Sequence, residues 1–145
     1  MQTKTFTISI NAPKEKVWQV LWSDESYRQW TAVFSEGSYA VSDWQQGSKI
    51  QFLTPAGHGM YSLIERLVPN EVMSFKHMGE IKDGVEQPPN EKTKSWVGAT
   101  ETYRLAEENG MTLLTATLDI QETDAPYFEK TFPQALQTVA QLAEG

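Results

Sequence analysis

The sequence predicts an α+β fold: a curved antiparallel sheet wrapped around a long C-terminal helix, with two short helices after the first strand. Three observations carry this. Apolar residues alternate at period 2 through most of the chain, with a turn signal about every ten residues, the pattern of an antiparallel meander. Directly after the first strand the period changes to helical. A last stretch, Phe128 to Leu142, keeps one apolar stripe at helical spacing.

Taken in order, Thr5 to Ile10 puts Phe6, Ile8 and Ile10 on one side and Thr5, Thr7 and Ser9 on the other, a half-buried strand. Pro13 ends it and suits a first helical turn, where its missing N–H costs nothing. Val17, Val20 and Leu21 then share a face, with Trp18 and Trp22 one turn apart beside it. Ser23-Asp24 is the expected cap of a second short helix running through Tyr27 and Trp30 towards Phe34. Strands follow over 38–42, 49–54, 60–68 and 71–81, separated by turn residues such as Pro55-Ala56-Gly57-His58-Gly59 and Pro69-Asn70. The stretch 79–99 breaks the rhythm with Asp83-Gly84 and Pro88-Pro89, and reads as a functional or mobile insertion in which Asn90 caps one helical turn ending near Trp96. A hairpin, 100–106 and 111–120, closes over Asn109-Gly110. Tyr103 and Leu105 share a face of its first strand, and Leu114, Ala116 and Leu118 are placed inward on its second. The final helix is expected to be capped by Thr123 or Asp124, and Pro133 to kink or divide it near Thr131.

Composition narrows the function. A chain of 145 residues is one ordinary domain, so 1–145 is read as a single unit. With no cysteine there is no disulfide framework, thiolate metal site or Cys nucleophile. Twelve Lys+Arg against 19 Asp+Glu leave a formal charge of −7, against a nucleic-acid partner, whose phosphates need a basic stripe. The N-terminus alternates instead of offering an apolar signal segment, and no window is apolar enough to insert in a membrane. The expectation is a cytoplasmic protein without cofactor or metal.

The run Val17-Trp18-Gln19-Val20-Leu21-Trp22-Ser23-Asp24, followed by Trp30, resembles the opening of the START-like (SRPBCC) superfamily, most of all its branch related to the activator of the heat-shock protein 90 ATPase. Gly47 before a strand, Gly59 opening the next, Glu65 to Pro69 closing it, and Phe132-Pro133-x-Ala135-Leu136 extend the likeness over essentially the whole chain. The resemblance implies a helix-grip fold with a cavity between sheet and C-terminal helix. It does not fix a function, since the superfamily includes lipid carriers, polyketide cyclases, hydroxylase domains and co-chaperones.

Within that frame, Trp30, Phe34, Phe52, Met60, Phe75, Trp96, Tyr103, Phe128 and Phe132 are candidates to line the cavity, against the plainer reading that they only pack on one another. His77, in a row with Met73 and Phe75, is the polar residue pointed inward, to orient a ligand or act as a base. His58, between glycines in a turn, is expected in solvent. Nothing in the spacing brings His58, His77 and Glu80 together around a metal, and no nucleophile or phosphate-loop motif occurs. Glu101, Arg104, Glu107 and Glu108 are expected to form a solvated face of the hairpin. The leading function is binding of a small hydrophobic or amphipathic molecule, with His77 and Tyr103 orienting it. The alternatives are a module that binds a chaperone or another protein, and a cyclase- or hydrolase-type enzyme with His77 as base and Glu80 or Tyr103 assisting.

Overall fold

In the computed structural model, which describes residues 1 to 145, the chain runs β1 (Gln2–Ile10), α1 (Lys14–Trp22), α2 (Asp24–Trp30), β2 (Tyr39–Ser42), β3 (Lys49–Leu53), β4 (Gly59–Val68), β5 (Val72–Lys82), β6 (Val85–Glu86), β7 (Thr100–Glu108), β8 (Met111–Ile120) and α3 (Ala125–Glu144). The strands form one antiparallel sheet in the order β1-β8-β7-β5-β4-β3-β2, with β6 pairing β5 beside this path. The predicted α+β architecture is the observed one. No helix is long and apolar enough to cross a membrane.

The turns follow from their residues. Asn109 and Gly110 both take positive φ, 55° and 79°, as a two-residue type I′ hairpin requires. The same holds for Asp83 and Gly84, at 52° and 77°. Gly59 is a matter of space: a Cβ there would sit 1.8 Å from the carbonyl oxygen of Phe52, across the β3–β4 pair.

Two register shifts bend β4 and β5 against each other. Tyr61 faces Gly79 while Ser62 faces His77, so Met78 is an extra residue on β5. Ile64 faces Phe75 while Arg66 faces Ser74, so Glu65 is an extra residue on β4. Such bulges increase local twist and reverse which face later side chains meet.

The segment 79–99 differs from its reading as an insertion. Its first residues continue β5 to Lys82 and turn back through β6, where Lys49 Nζ donates to Glu86 Oε1 at 2.8 Å. Tyr61, whose ring lies over Gly79, donates its hydroxyl to the Gln87 carbonyl at 2.9 Å. Asn90 Oδ1 then accepts the Lys92 and Thr93 amides, at 2.9 and 3.0 Å, and starts the turns that carry Trp96.

Three helix expectations need correction. Ser23 stands at the N-cap of α2, but its side chain makes no capping hydrogen bond. No side chain caps α3: a 3-10 turn, Glu122–Asp124, leads into it, and Pro126 fills its first turn. Pro133 does not divide the helix, which runs unbroken to Glu144. Proline frees only the carbonyl of Glu129; both residues face solvent, where water satisfies it. Buried Phe132, Ala135, Leu136 and Val139 hold the two sides in line against the sheet and early helices. The Phe6 and Phe132 rings stack at 5.0 Å and tie α3 to β1.

Arg104, Glu107 and Glu108 lie on the exposed face expected of them, but Glu101 does not. Glu107 Oε1 accepts the backbone N–H of Lys14 at 2.7 Å, supplying the cap for α1 that Pro13 lacks. Glu101 points into the molecule.

Candidate functional site

Between the inner face of the sheet, α2 and α3 lies a cavity of about 520 Å³. Strand alternation aims Phe52 from β3, Phe75 and His77 from β5, and Tyr103 from β7 into it. The helical side brings Trp30 at the end of α2, Phe34 in the turn after it, and Phe128 and Phe132 one turn apart on α3. Met60 and Trp96 complete the set, so all ten side chains singled out in the sequence border this one space. Trp30, Phe75 and Tyr103 are buried at its base, whereas Asp124 and Tyr127 stand exposed at its rim.

The aromatic walls hold each other. Trp22, which the sequence reading left beside the helix face, packs edge-on against Trp30, Phe75 and Tyr103 at 6.3, 5.5 and 5.1 Å. Trp30 donates its indole N–H to the Leu21 carbonyl at 3.1 Å, which fixes α2 on α1. Tyr127 donates its hydroxyl to the Phe34 carbonyl at 2.8 Å and joins the turn to α3.

One polar chain crosses this apolar wall. His77 Nδ1 is 2.8 Å from Ser62 Oγ, and His77 Nε2 is 3.4 Å from Glu101 Oε1. Glu101 Oε2 accepts the hydroxyl of Tyr103. Ser62 is buried outside the cavity lining, so it orients the imidazole and offers substrate no nucleophile. His58 stays exposed in its turn. No group of three or more His, Cys, Asp or Glu side chains is arranged to hold a metal ion.

Ionisation of the wall follows burial and then charge. Burial first, and the Glu101 carboxylate second, push the hydroxyls of Tyr27 and Tyr103 well above the usual phenol range. At Asp119 burial alone would raise the carboxyl. Hydrogen bonds from the Thr100 amide, the Thr3 hydroxyl and the Thr100 hydroxyl outweigh it and hold the group below its ordinary range.

Two cavity neighbours, Glu101 and Tyr27, are missing from the sequence reading's ligand set, and Glu80 enters it only as an assistant to His77 in the enzyme alternative. Glu101 lies two residues before Tyr103 in the same strand, so alternation already placed it inward; its charge led to the solvent assignment. Alternation alone does not turn Glu80 inward. Counting in twos from His77 lands on Gly79 and Ile81, and only the extra residue Met78 turns Glu80 towards the cavity.

Comparison with known proteins bears on this arrangement. The family model of the activator of Hsp90 ATPase homolog 1-like protein matches residues 11–144. The solution structure of the Aha1 dimer from Colwellia psychrerythraea superposes with a TM-score of 0.73 at 22% identity, covering 99% of this chain and 97% of that one. The crystal structure of MLL2253 from Mesorhizobium loti gives 0.76 at 14% identity over 97% and 96%. DynU16, from the dynemicin biosynthetic locus, gives 0.71 at 11% identity, covering 97% of this chain and 46% of that one. No curated protein sequence matches.

Proposed function

This chain belongs to the activator of Hsp90 ATPase homolog 1-like family, and from that premise we propose that it binds a small hydrophobic or amphipathic molecule in the cavity between sheet and α3. It does so as a single START-like domain acting in the cytoplasm. The observation that carries this is the cavity itself: about 520 Å³, within the size range of small-molecule sites, walled by aromatics and crossed by one polar chain. Desolvation of apolar surface supplies most of the binding, at about 25 cal/mol per Å². His77 and Tyr103, each held by a neighbour, orient the ligand.

The test is titration with N-phenyl-1-naphthylamine, a neutral apolar fluorophore, followed by amide and side-chain NMR shifts. Enhanced emission with shifts at Trp30, Phe75, His77 and Tyr103 supports the reading. No enhancement, or shifts confined to outer loops, defeats it. His77→Phe should weaken binding and leave the fold intact, because a ring of similar size replaces the imidazole.

Family membership favours a second reading, action on an Hsp90 ATPase through the protein surface. The ATPase rate of an Hsp90 from the same organism, with and without this protein, decides it. Stimulation that survives His77→Phe would place that activity on the surface and not in the cavity.

A further inference from the structure

We propose that the cavity selects molecules with a cationic or strongly hydrogen-bond-donating head on an aromatic or alkyl body, and rejects fatty acids and other anionic lipids. This rests on the binding reading above and adds the sign of the ligand.

The charges on the wall all point one way. Glu80, Glu101, Asp119 and Asp124 border the cavity, and no lysine or arginine does. Two of the carboxylates are already engaged. Asp119 takes three hydrogen bonds from Thr3 and Thr100, and Glu101 serves Tyr103 and His77. Glu80 is held more loosely: its buried Oε1 makes no hydrogen bond, and its ion pair is to Lys82 Nζ at 3.6 Å, on a side chain 52% exposed. A long ion pair to an exposed ammonium leaves a carboxylate on the cavity wall weakly compensated, and a ligand cation would add to its stabilisation.

Trp22 Nε1 is the other buried side-chain atom without a hydrogen bond, and Trp22 also borders the cavity. One indole N–H is too little to hold an anion that has left water, so a carboxylate ligand would enter at an uncompensated cost. A cation meets the opposite situation. It gains the Glu80 carboxylate and the faces of Trp30, Trp96 and Phe52, which attract cations through their ring quadrupoles.

Three probes sharing one body test this at neutral pH: 4-phenylbutylamine, 4-phenylbutanol and 4-phenylbutyrate, with affinities read by NMR titration. The amine should bind about tenfold more tightly than the carboxylate, with the alcohol between them. Glu80→Gln, its fold checked by circular dichroism, should erase most of the amine's advantage over the alcohol and leave the alcohol's affinity in place. A carboxylate that binds as well as the amine overturns the inference, and so does an amine advantage that Glu80→Gln does not reduce. Should Glu80→Gln fail to fold, the ranking of the three probes on the unaltered protein decides alone. Binding of the alcohol without that ranking sinks the charge selection and keeps the pocket; no binding by any of the three sinks the pocket as well.

Discussion

Phe75→Ala measures whether the cavity is open space. Phe75 is fully buried, with its ring 5.5 Å from Trp22, 5.1 Å from Phe52 and 6.4 Å from Tyr103, and it borders the cavity. In a close-packed core the substitution costs about 3–5 kcal/mol. Stripping about 100 Å² of apolar surface at about 25 cal/mol per Å² accounts for about 2.5 kcal/mol of that. The rest is the new void, at about 24 cal/mol per Å³. Here the ring borders the cavity, so the gap its removal leaves joins existing space that neighbours or water can enter and does not stand as a closed void. The expected cost is therefore about 2–3 kcal/mol, close to the transfer part alone. For a chain of this length that lowers Tm by about 6–10 °C and leaves the protein folded. The assay is urea unfolding followed by far-ultraviolet circular dichroism, because Trp22 touches the deleted ring and its emission would change for other reasons. Leu136→Ala is the control: equally buried but away from the cavity, it should cost about 3–4 kcal/mol. A loss of 4–5 kcal/mol at Phe75, with an unchanged m value, would mean the site is close-packed and would refute the reasoning.

Pro133→Ala restores an amide inside α3 and should raise stability by about 1–3 kcal/mol, read from the same urea curves; a loss would show that the proline ring itself packs. Tyr27 and Tyr103 have raised pKa values in the folded protein, so the stability they contribute is intact below the ordinary phenol value of about 10 and falls as pH rises above it. Near-ultraviolet absorbance should show these two ionising only as the protein unfolds. Asp119 has the opposite sign: its depressed pKa stabilises the fold above the ordinary carboxylate range and ceases to do so as pH falls through the folded value. Asp119→Asn should therefore lower Tm at neutral pH and shrink the further drop on acidification; an unchanged acid limb would count against the Thr3 and Thr100 hydrogen bonds.

Much of this protein was legible in its residues taken in order. Period 2 in the strands, the helical stripe from Phe128 to Leu142 and the Asn109-Gly110 turn specify element types, and alternation specifies which face each side chain takes. That suffices to set Phe52, Phe75, His77 and Tyr103 on one wall, because facing depends only on the strand that carries the residue. What lies opposite a residue depends on register and long-range contact, and neither is written locally. The extra residue Met78 reverses the parity of β5 and turns Glu80 inward, which no count along β5 alone reveals. Glu107 reaches Lys14 across 93 positions of sequence, so an exposed charge also serves as a helix cap. Pro133 breaks a helix by local rules, yet α3 stays whole because its buried stripe binds the sheet on both sides of the proline. In each case a local preference worth a few kcal/mol met tertiary packing that outweighed it, and that balance exists only in the folded chain.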